Sequence, residues 1–204
     1  LHSFPTRRSS DLSYFYRYSF IAPREKKSFY TFTLEDIMND NFPLEFIKRG
    51  TALSVGAFDG LHRGHRTIIE QIKGYKNLVK GLVTFTSPFK AESKDYFGNV
   101  LTLEQKIEEI KNFALDFVLV IDFSPEFSKM EGNVFILTLI EKMGMKVLVE
   151  GMDFSCGYKG ALNMQGLTLL AKEKNFDLCQ VPDSFVDGEK VSSSSIRNYI
   201  RLGD

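Results

Sequence analysis

Residues 51–65 read TALSVGAFDGLHRGH, five residues of strand composition running into a loop framed by Gly56, Gly60 and Gly64. Glycines at those places supply tight turns and let the backbone approach a bulky anion closely. If a helix begins near His62, the spacing of three puts the rings of His62 and His65 on one face of its first turn. Free N–H groups and the positive end of the helix dipole point the same way. Strand, glycine loop and helix N-terminus in that order make a phosphate-binding loop, and two imidazoles beside it suit a triphosphate. Asp59, in the middle of the loop, has two readings: a carboxylate that meets the ligand, or a turn former that bonds nearby backbone N–H groups.

Working outward, short β-rich apolar runs alternate with longer helical patterns from residue 51 onward. Strands are expected at 51–56, 81–86, 116–122, 146–150 and 176–182, and helices near 64–73, 102–114, 133–143, 163–174 and 194–202. This alternation predicts an α/β fold, a Rossmann-like doubly wound parallel sheet covered by helices, with ligands gathered beyond the carboxyl ends of the strands. Thr102 and Gln105 have capping-box spacing, and Leu103, Ile107, Ile110 and Ala114 recur at steps of four, three and four. Gly144 is placed as the residue that ends the helix before the strand KVLVE. Ser124-Pro125 before Glu126 reads as an N-cap with proline at the first position.

The end of the chain, VSSSSIRNYIRLGD from Val191, sets four serines ahead of an apolar-periodic run, an N-cap signal with spare hydroxyls. Arg197 falls in the first turn, where its fork suits phosphate oxygens. A second anion site, or a serine-rich linker before a short helix, both fit these residues.

The loop G-A-F-D-G-L-H-R-G-H resembles the H-x-G-H signature of the nucleotidyltransferase superfamily, and its fuller form G-x-F-D-G-x-H-x-G-H is similar to the adenylyltransferase module of bacterial FAD synthetases. Val191, Ser192, Ser193, Ser194, Ile196 and Arg197 match that family's I-S-S-T-x-I-R segment. Gly151-Met152-Asp153-Phe154-Ser155-Cys156-Gly157 resembles its G-x-D-F-x-F-G loop, and Thr84-Phe85 the start of its T-F-x-P-H-P turn. The resemblance implies FMN adenylyltransferase chemistry, ATP and FMN giving FAD and pyrophosphate, with Mg²⁺ accompanying ATP. It implies His62 and His65 as the catalytic pair. Gly56, Phe58, Asp59, Gly60, Gly64, Ser193, Ser194 and Arg197 would bind ATP, and Thr84, Phe85, Gly151, Asp153, Phe154 and Gly157 would form the flavin and nucleotide loops. No protein metal ligand is assigned. Asp153 is open between a ligand contact and a loop cap.

The family pattern is not matched everywhere. Ala57 stands in place of an asparagine, Pro88 in place of a histidine, and Cys156 in place of a phenylalanine; Gly160-Ala161 replaces a Gly-Asp pair, with Asn163 as the nearest polar substitute. These departures keep two alternatives in view: a nucleotidyltransferase for another phosphorylated metabolite, or a fragment that binds nucleotide or flavin without turnover. A tRNA-synthetase core shares the histidine loop, but the sequence has no K-M-S-K-S segment.

Composition narrows the field. Twenty-six Lys+Arg balance 26 Asp+Glu, so bulk electrostatics give no hold on nucleic acid or an anionic membrane, and any anion must be bound by local geometry. Two cysteines and three histidines provide neither a disulfide framework nor a zinc cluster, and a reducing, cytoplasmic setting is expected. No apolar run reaches the roughly 18 residues of a spanning helix. Most of the 19 phenylalanines are expected in the core. Residues 1–28 are read as a non-native or disordered extension, because LHSFPTRRSSDL resembles a translated vector scar and residues 13–28 lack a signal-peptide core. The nucleotidyltransferase domain is placed at 29–204, without the riboflavin kinase domain that follows it in full-length family members. The pattern leaves the oligomeric state undefined.

Overall fold

The computed structural model describes residues 28–86 and 98–203. The expected extension, apart from Ser28, and Pro88 lie outside the described residues. The chain runs β1 (Tyr30–Thr33), α1 (Leu34–Met38), α2 (Leu44–Arg49), β2 (Thr51–Val55), α3 (Arg63–Lys73), β3 (Val79–Phe85), α4 (Leu103–Lys111), β4 (Phe117–Ile121), α5 (Gly132–Met143) and β5 (Met145–Gly151). It continues through β6 (Ser155–Cys156), β7 (Leu162–Asn163), α6 (Met164–Lys174), β8 (Asp177–Val181), β9 (Phe185–Val186), β10 (Glu189–Lys190) and α7 (Ser193–Leu202).

Six strands form one sheet in the order β1-β4-β3-β2-β5-β8, with every pairing parallel. From β2 the chain winds one way through β3 and β4, then returns to the other side of β2 for β5 and β8. The sheet is therefore doubly wound, and its switch point lies between β2 and β5. The five strands expected from the sequence are all present. The sixth, β1, was not legible: it is a four-residue edge strand with only Phe32 buried, too short to show a period. The short helices α1 and α2 were also not anticipated.

The central strands are buried on both faces, which is why they read as nearly unbroken apolar runs. One face packs Ile69 and Ile72 of α3 and Ile110 of α4 against Ala52, Leu82 and Val118. The opposite face packs Ile37 of α1, Phe135, Ile136 and Leu139 of α5, and Leu167 and Leu170 of α6 against Leu53, Val83 and Leu148. Local signals held where they were specific. Thr102 and Gln105 form the full capping box of α4, and Gly144 ends α5 in the left-handed conformation at φ 63°. Ser124 Oγ accepts from Phe127 N at 3.2 Å, capping a short 3-10 turn rather than a longer helix. α4 stops at Lys111, three residues before the expected end at 114, because Asn112–Ala114 close it with a turn that places Ala114 at φ 58°.

Candidate active site

A cavity of about 910 Å³ opens at the carboxyl ends of the strands, across the switch point. Its polar side is built from Gly56, Phe58, His62, Gly64 and His65 after β2 and from Ser192, Ser193 and Ser194 at the start of α7. Its other side is aromatic, with Phe85, Phe123, Phe127, Phe135 and Phe154 joined by Met130 and Cys156.

The loop after β2 is strained. Phe58, Gly60 and Leu61 have φ of 49°, 76° and 39°, and a non-glycine residue in that region costs about 1–3 kcal/mol. Buried polar contacts offset the strain. Asp59 Oδ1 accepts from Val100 N at 2.8 Å and Leu101 N at 3.1 Å, while its Oδ2 accepts from Arg197 Nη1 at 2.7 Å. The Asp59 carbonyl accepts from Ser193 Oγ at 2.8 Å. The Ala57 carbonyl takes two donors, Thr84 Oγ1 and Lys106 Nζ, each at 3.0 Å, and Lys106 Nζ reaches on to the Phe85 carbonyl at 2.9 Å. Burial pulls the Lys106 ammonium down to about 8.

His62 caps α3 and His65 lies in its first turn, and the two rings stack with centroids 3.7 Å apart. His62 holds the N-cap position without a side-chain cap bond, so among the described residues no side chain caps the first N–H groups of α3, whose His62, Gly64 and His65 line the cavity. Phe58 lies beneath His65, with ring centroids 5.1 Å apart. Burial lowers both imidazoles from their ordinary value, His65 to about 3, with the neighbouring His62 and Lys106 adding to the effect. Both rings are therefore neutral near pH 7. The Nδ1 atoms of His62 and His65 are buried, and among the described residues neither has a hydrogen-bond partner.

On the far wall, Asp153 and Asp183 both accept from Lys190 Nζ at 2.8 Å, and this contact holds the Asp153 carboxyl below its usual range. Gly157, at φ 77°, lets the loop after β5 press against the start of α5, where a Cβ would meet the backbone of Gly132. Cys156 is half-buried, and burial pushes its thiol up to about 12, so it serves as packing and not as a nucleophile.

The structure brings most of the sequence-predicted residues to this cavity and turns four of them elsewhere. Asp59 and Arg197 face each other rather than the cavity: the carboxylate is taken by the guanidinium and two backbone N–H groups, and Arg197 Nη2 bonds Ser194 Oγ at 3.2 Å. Gly60 packs against Val100, and Thr84 donates to the Ala57 carbonyl. Asp59 and Arg197 tie the histidine loop to the start of α7, and Gly60 and Thr84 brace that loop against its neighbours, instead of forming the wall. Asn163 is likewise a helix cap, its Oδ1 accepting from Gly166 N at 3.0 Å. Sequence reasoning missed Glu150, a charged residue in an apolar strand run, and Lys106, which sits three residues after Leu103 on the inward face of α4. In both cases the signal was an ionisable side chain at a position the periodicity assigns to the core.

A parallel sheet with a glycine–histidine loop at its switch point, faced by a serine-rich helix start, defines a nucleotide-binding α/β domain of the kind that handles phosphates. A family model for FAD synthetase matches residues 45–195, and the chain belongs to that family. Proteins named bifunctional riboflavin kinase/FMN adenylyltransferase from Buchnera aphidicola, Listeria monocytogenes and Escherichia coli are 29%, 28% and 29% identical to it, over 77%, 74% and 75% of this chain. The matched segments are 53%, 50% and 51% of those proteins, so the chain spans about half the length of these curated relatives. Among solved structures, a Streptococcus pneumoniae protein described as a macrolide-efflux protein superposes with a TM-score of 0.69 at 23% identity, covering 83% of this chain and 55% of its own. A pantoate-beta-alanine ligase from Francisella tularensis gives 0.57 at 14% identity, covering 86% and 76%. At these identities the two superpositions establish the fold alone. Among the described residues no helix is long and apolar enough to cross a membrane.

Proposed function

We propose that this chain is an FMN adenylyltransferase, joining AMP from ATP to FMN to give FAD and pyrophosphate. The observation that carries the reading is the two-sided cavity: phosphate-facing loops locked together by Asp59, Arg197 and Ser193 on one side, and an aromatic wall large enough for a tricyclic ring on the other. The relatives' shared name supports the same reaction.

One oxygen of the FMN phosphate attacks the α-phosphorus of ATP, a new O–Pα bond forms, the Pα–O bond to the β-phosphate breaks, and pyrophosphate leaves with the electron pair. The attacking oxygen is already anionic near neutral pH, so alignment and charge stabilisation replace a general base. His62 and His65 donate from neutral rings to oxygens around the reacting phosphorus. The first N–H groups of α3, the glycine backbone, the Ser194 hydroxyl and the free N–H of Ser193 at the start of α7 receive the rest of the triphosphate, while the Ser193 hydroxyl stays on the Asp59 carbonyl. Arg197 acts by holding Asp59 and Ser194 in place. Mg²⁺ accompanying ATP would supply charge neutralisation on the phosphates, and such an ion keeps several of its waters; among the described residues no group of three or more His, Cys, Asp or Glu side chains converges.

The test is incubation of the purified chain with FMN, ATP and Mg²⁺ and separation of the flavins by chromatography, with CTP replacing ATP and riboflavin replacing FMN in parallel. FAD from FMN plus ATP alone is the expected result. Binding of ATP and FMN without FAD would reduce the chain to a binding fragment, and binding of ATP without FMN would redirect the search to another phosphorylated acceptor.

A further inference from the structure

Glu150 lies at the carboxyl end of β5, 2% exposed, and lines the cavity on the side where β2 and β5 part. Backbone pairing of these strands is recorded from Thr51↔Met145 to Leu53↔Leu148 and stops there. Beyond that point Val55 N donates to Glu150 Oε1 at 2.7 Å, and Ser54 Oγ donates weakly to Oε2 at 3.4 Å. The carboxyl therefore takes the place of a β5 carbonyl at the mouth of the crevice. Leu148, two positions earlier on the strand, belongs to the same core cluster as Phe135, against which Phe154 and Cys156 pack, and Glu150 lines the cavity together with Phe135, Phe154 and Cys156.

An ionised carboxylate would be costly there. No cation is within ion-pair distance among the described contacts of Glu150, and burial raises its carboxyl well above the usual range. Burial with no opposing charge favours the protonated acid, which carries one O–H donor. With the short Val55 N–H bond on Oε1, the carbonyl oxygen of that acid, and only the long Ser54 Oγ bond on Oε2, the proton is assigned to Oε2 and Oε1 keeps a second lone pair. A neutral carboxylic acid presents a donor and an acceptor side by side. This pair is complementary to an N–H lying next to a C=O, and a flavin ring has that arrangement at its imide edge, N3–H flanked by the C2 and C4 carbonyls.

We propose that Glu150 is a specificity-determining residue of the site, its uncharged carboxyl pairing with the imide edge of the isoalloxazine ring while its Oε1 anchors Val55 and the start of the histidine loop. This assignment rests on the FMN reading above. It also gives a reason for an ionisable residue in the otherwise apolar run KVLVEG: an alkyl side chain at that position would leave both Val55 N–H and the imide unpaired, and an unsatisfied buried polar group is destabilising.

The experiment is a flavin-fluorescence titration of the full chain with FMN and with 3-methyl-FMN, which lacks the N3 proton, using wild type, Glu150→Gln and Glu150→Leu. Wild type is expected to prefer FMN by about tenfold, the cost of one buried pair. Glu150→Gln offers the same N–H/C=O pair and should keep that preference, whereas Glu150→Leu should bring the ratio close to one. A simple brace between β2 and β5 would alter both affinities alike and leave the ratio unchanged. A wild-type ratio near one overturns the assignment without need of any variant, and so does an unchanged ratio in Glu150→Leu. Loss of the preference for ATP over purine riboside triphosphate in Glu150→Leu, with the flavin ratio intact, would overturn it in favour of the adenine ring. If wild type binds neither flavin, the FMN reading itself fails and this assignment with it; a wild type that binds FMN with a ratio near one sinks the assignment alone.

Discussion

At the scale of single residues, the site holds two stacked imidazoles and a strained loop in one geometry. His65 is the best-enclosed of the two imidazoles, in contact with Phe58 and His62. His65→Ala is expected to lower turnover by about 2–4 kcal/mol of transition-state stabilisation with the fold retained, read by FAD formation and circular dichroism. Unchanged turnover would remove His65 from the mechanism. Asp59 and Arg197 form an ion pair with side chains only 6% and 18% exposed. Removing one partner strands the other, so Asp59→Ala should cost about 3–5 kcal/mol in urea unfolding, nearer the lower figure because Arg197 retains some solvent. The double variant Asp59→Ala/Arg197→Met should be less destabilised than the sum of the single changes. Strict additivity would mean that the pair is not coupled.

At the scale of elements, the start of α7 governs how the serine hydroxyls reach the cavity. Ser192 and Ser195 make a reciprocal capping box, with Ser195 N donating to Ser192 Oγ at 3.1 Å and Ser192 N to Ser195 Oγ at 3.0 Å. The cap fixes the first turn, and with it Ser193 and Ser194. Ser192→Ala should destabilise this helix by about 1 kcal/mol. The expected kinetic result is a raised KM for ATP with kcat little changed; an equal fall in kcat would point to a part for Ser192 in the reacting geometry itself. The two strands at the switch point illustrate the same dependence, since the histidine loop begins where β2 leaves β5 and a side chain has to replace the missing backbone partner.

For the whole molecule, two buried ionisable groups give stability opposite pH trends. His65 is neutral in the fold down to about 3 but protonates near its ordinary 6.5 when unfolded, so its environment favours folding fully above that range and the benefit is lost as pH falls toward 3. Glu150 has the reverse sign. It holds its proton in the fold and ionises near its ordinary 4.5 when unfolded, so stability is lost as pH rises from 4.5 toward its raised folded value. Glu150→Gln should therefore stabilise the chain more at pH 8 than at pH 5, and His65→Ala should flatten the acid side, both read as urea midpoints. Equal shifts at the two pH values for Glu150→Gln would mean that the carboxyl is ionised in the fold.

Local information was enough for much of this. The five main strands, the capping box of α4, the glycine that ends α5 and the histidine loop are set by residues within a few positions of one another, so period, cap and turn chemistry express them directly. The nucleotide-handling character was legible for the same reason, because a phosphate loop is a contiguous strand–turn–helix unit. The edge strand β1 was not, since four residues held by pairing with β4, more than eighty positions along the chain, carry no periodic signature of their own. Which polar side chains meet the cavity also belonged to the tertiary structure. Asp59 and Arg197 look like ligand residues in isolation, yet they lie 138 positions apart in sequence and satisfy each other once the fold brings them to 2.7 Å. Glu150 looks like a misplaced charge in a core strand until β2 and β5 diverge beside it. Hydrogen-bond partners across such separations are chosen by topology, because a buried polar group takes whichever donor or acceptor the completed sheet sets within reach.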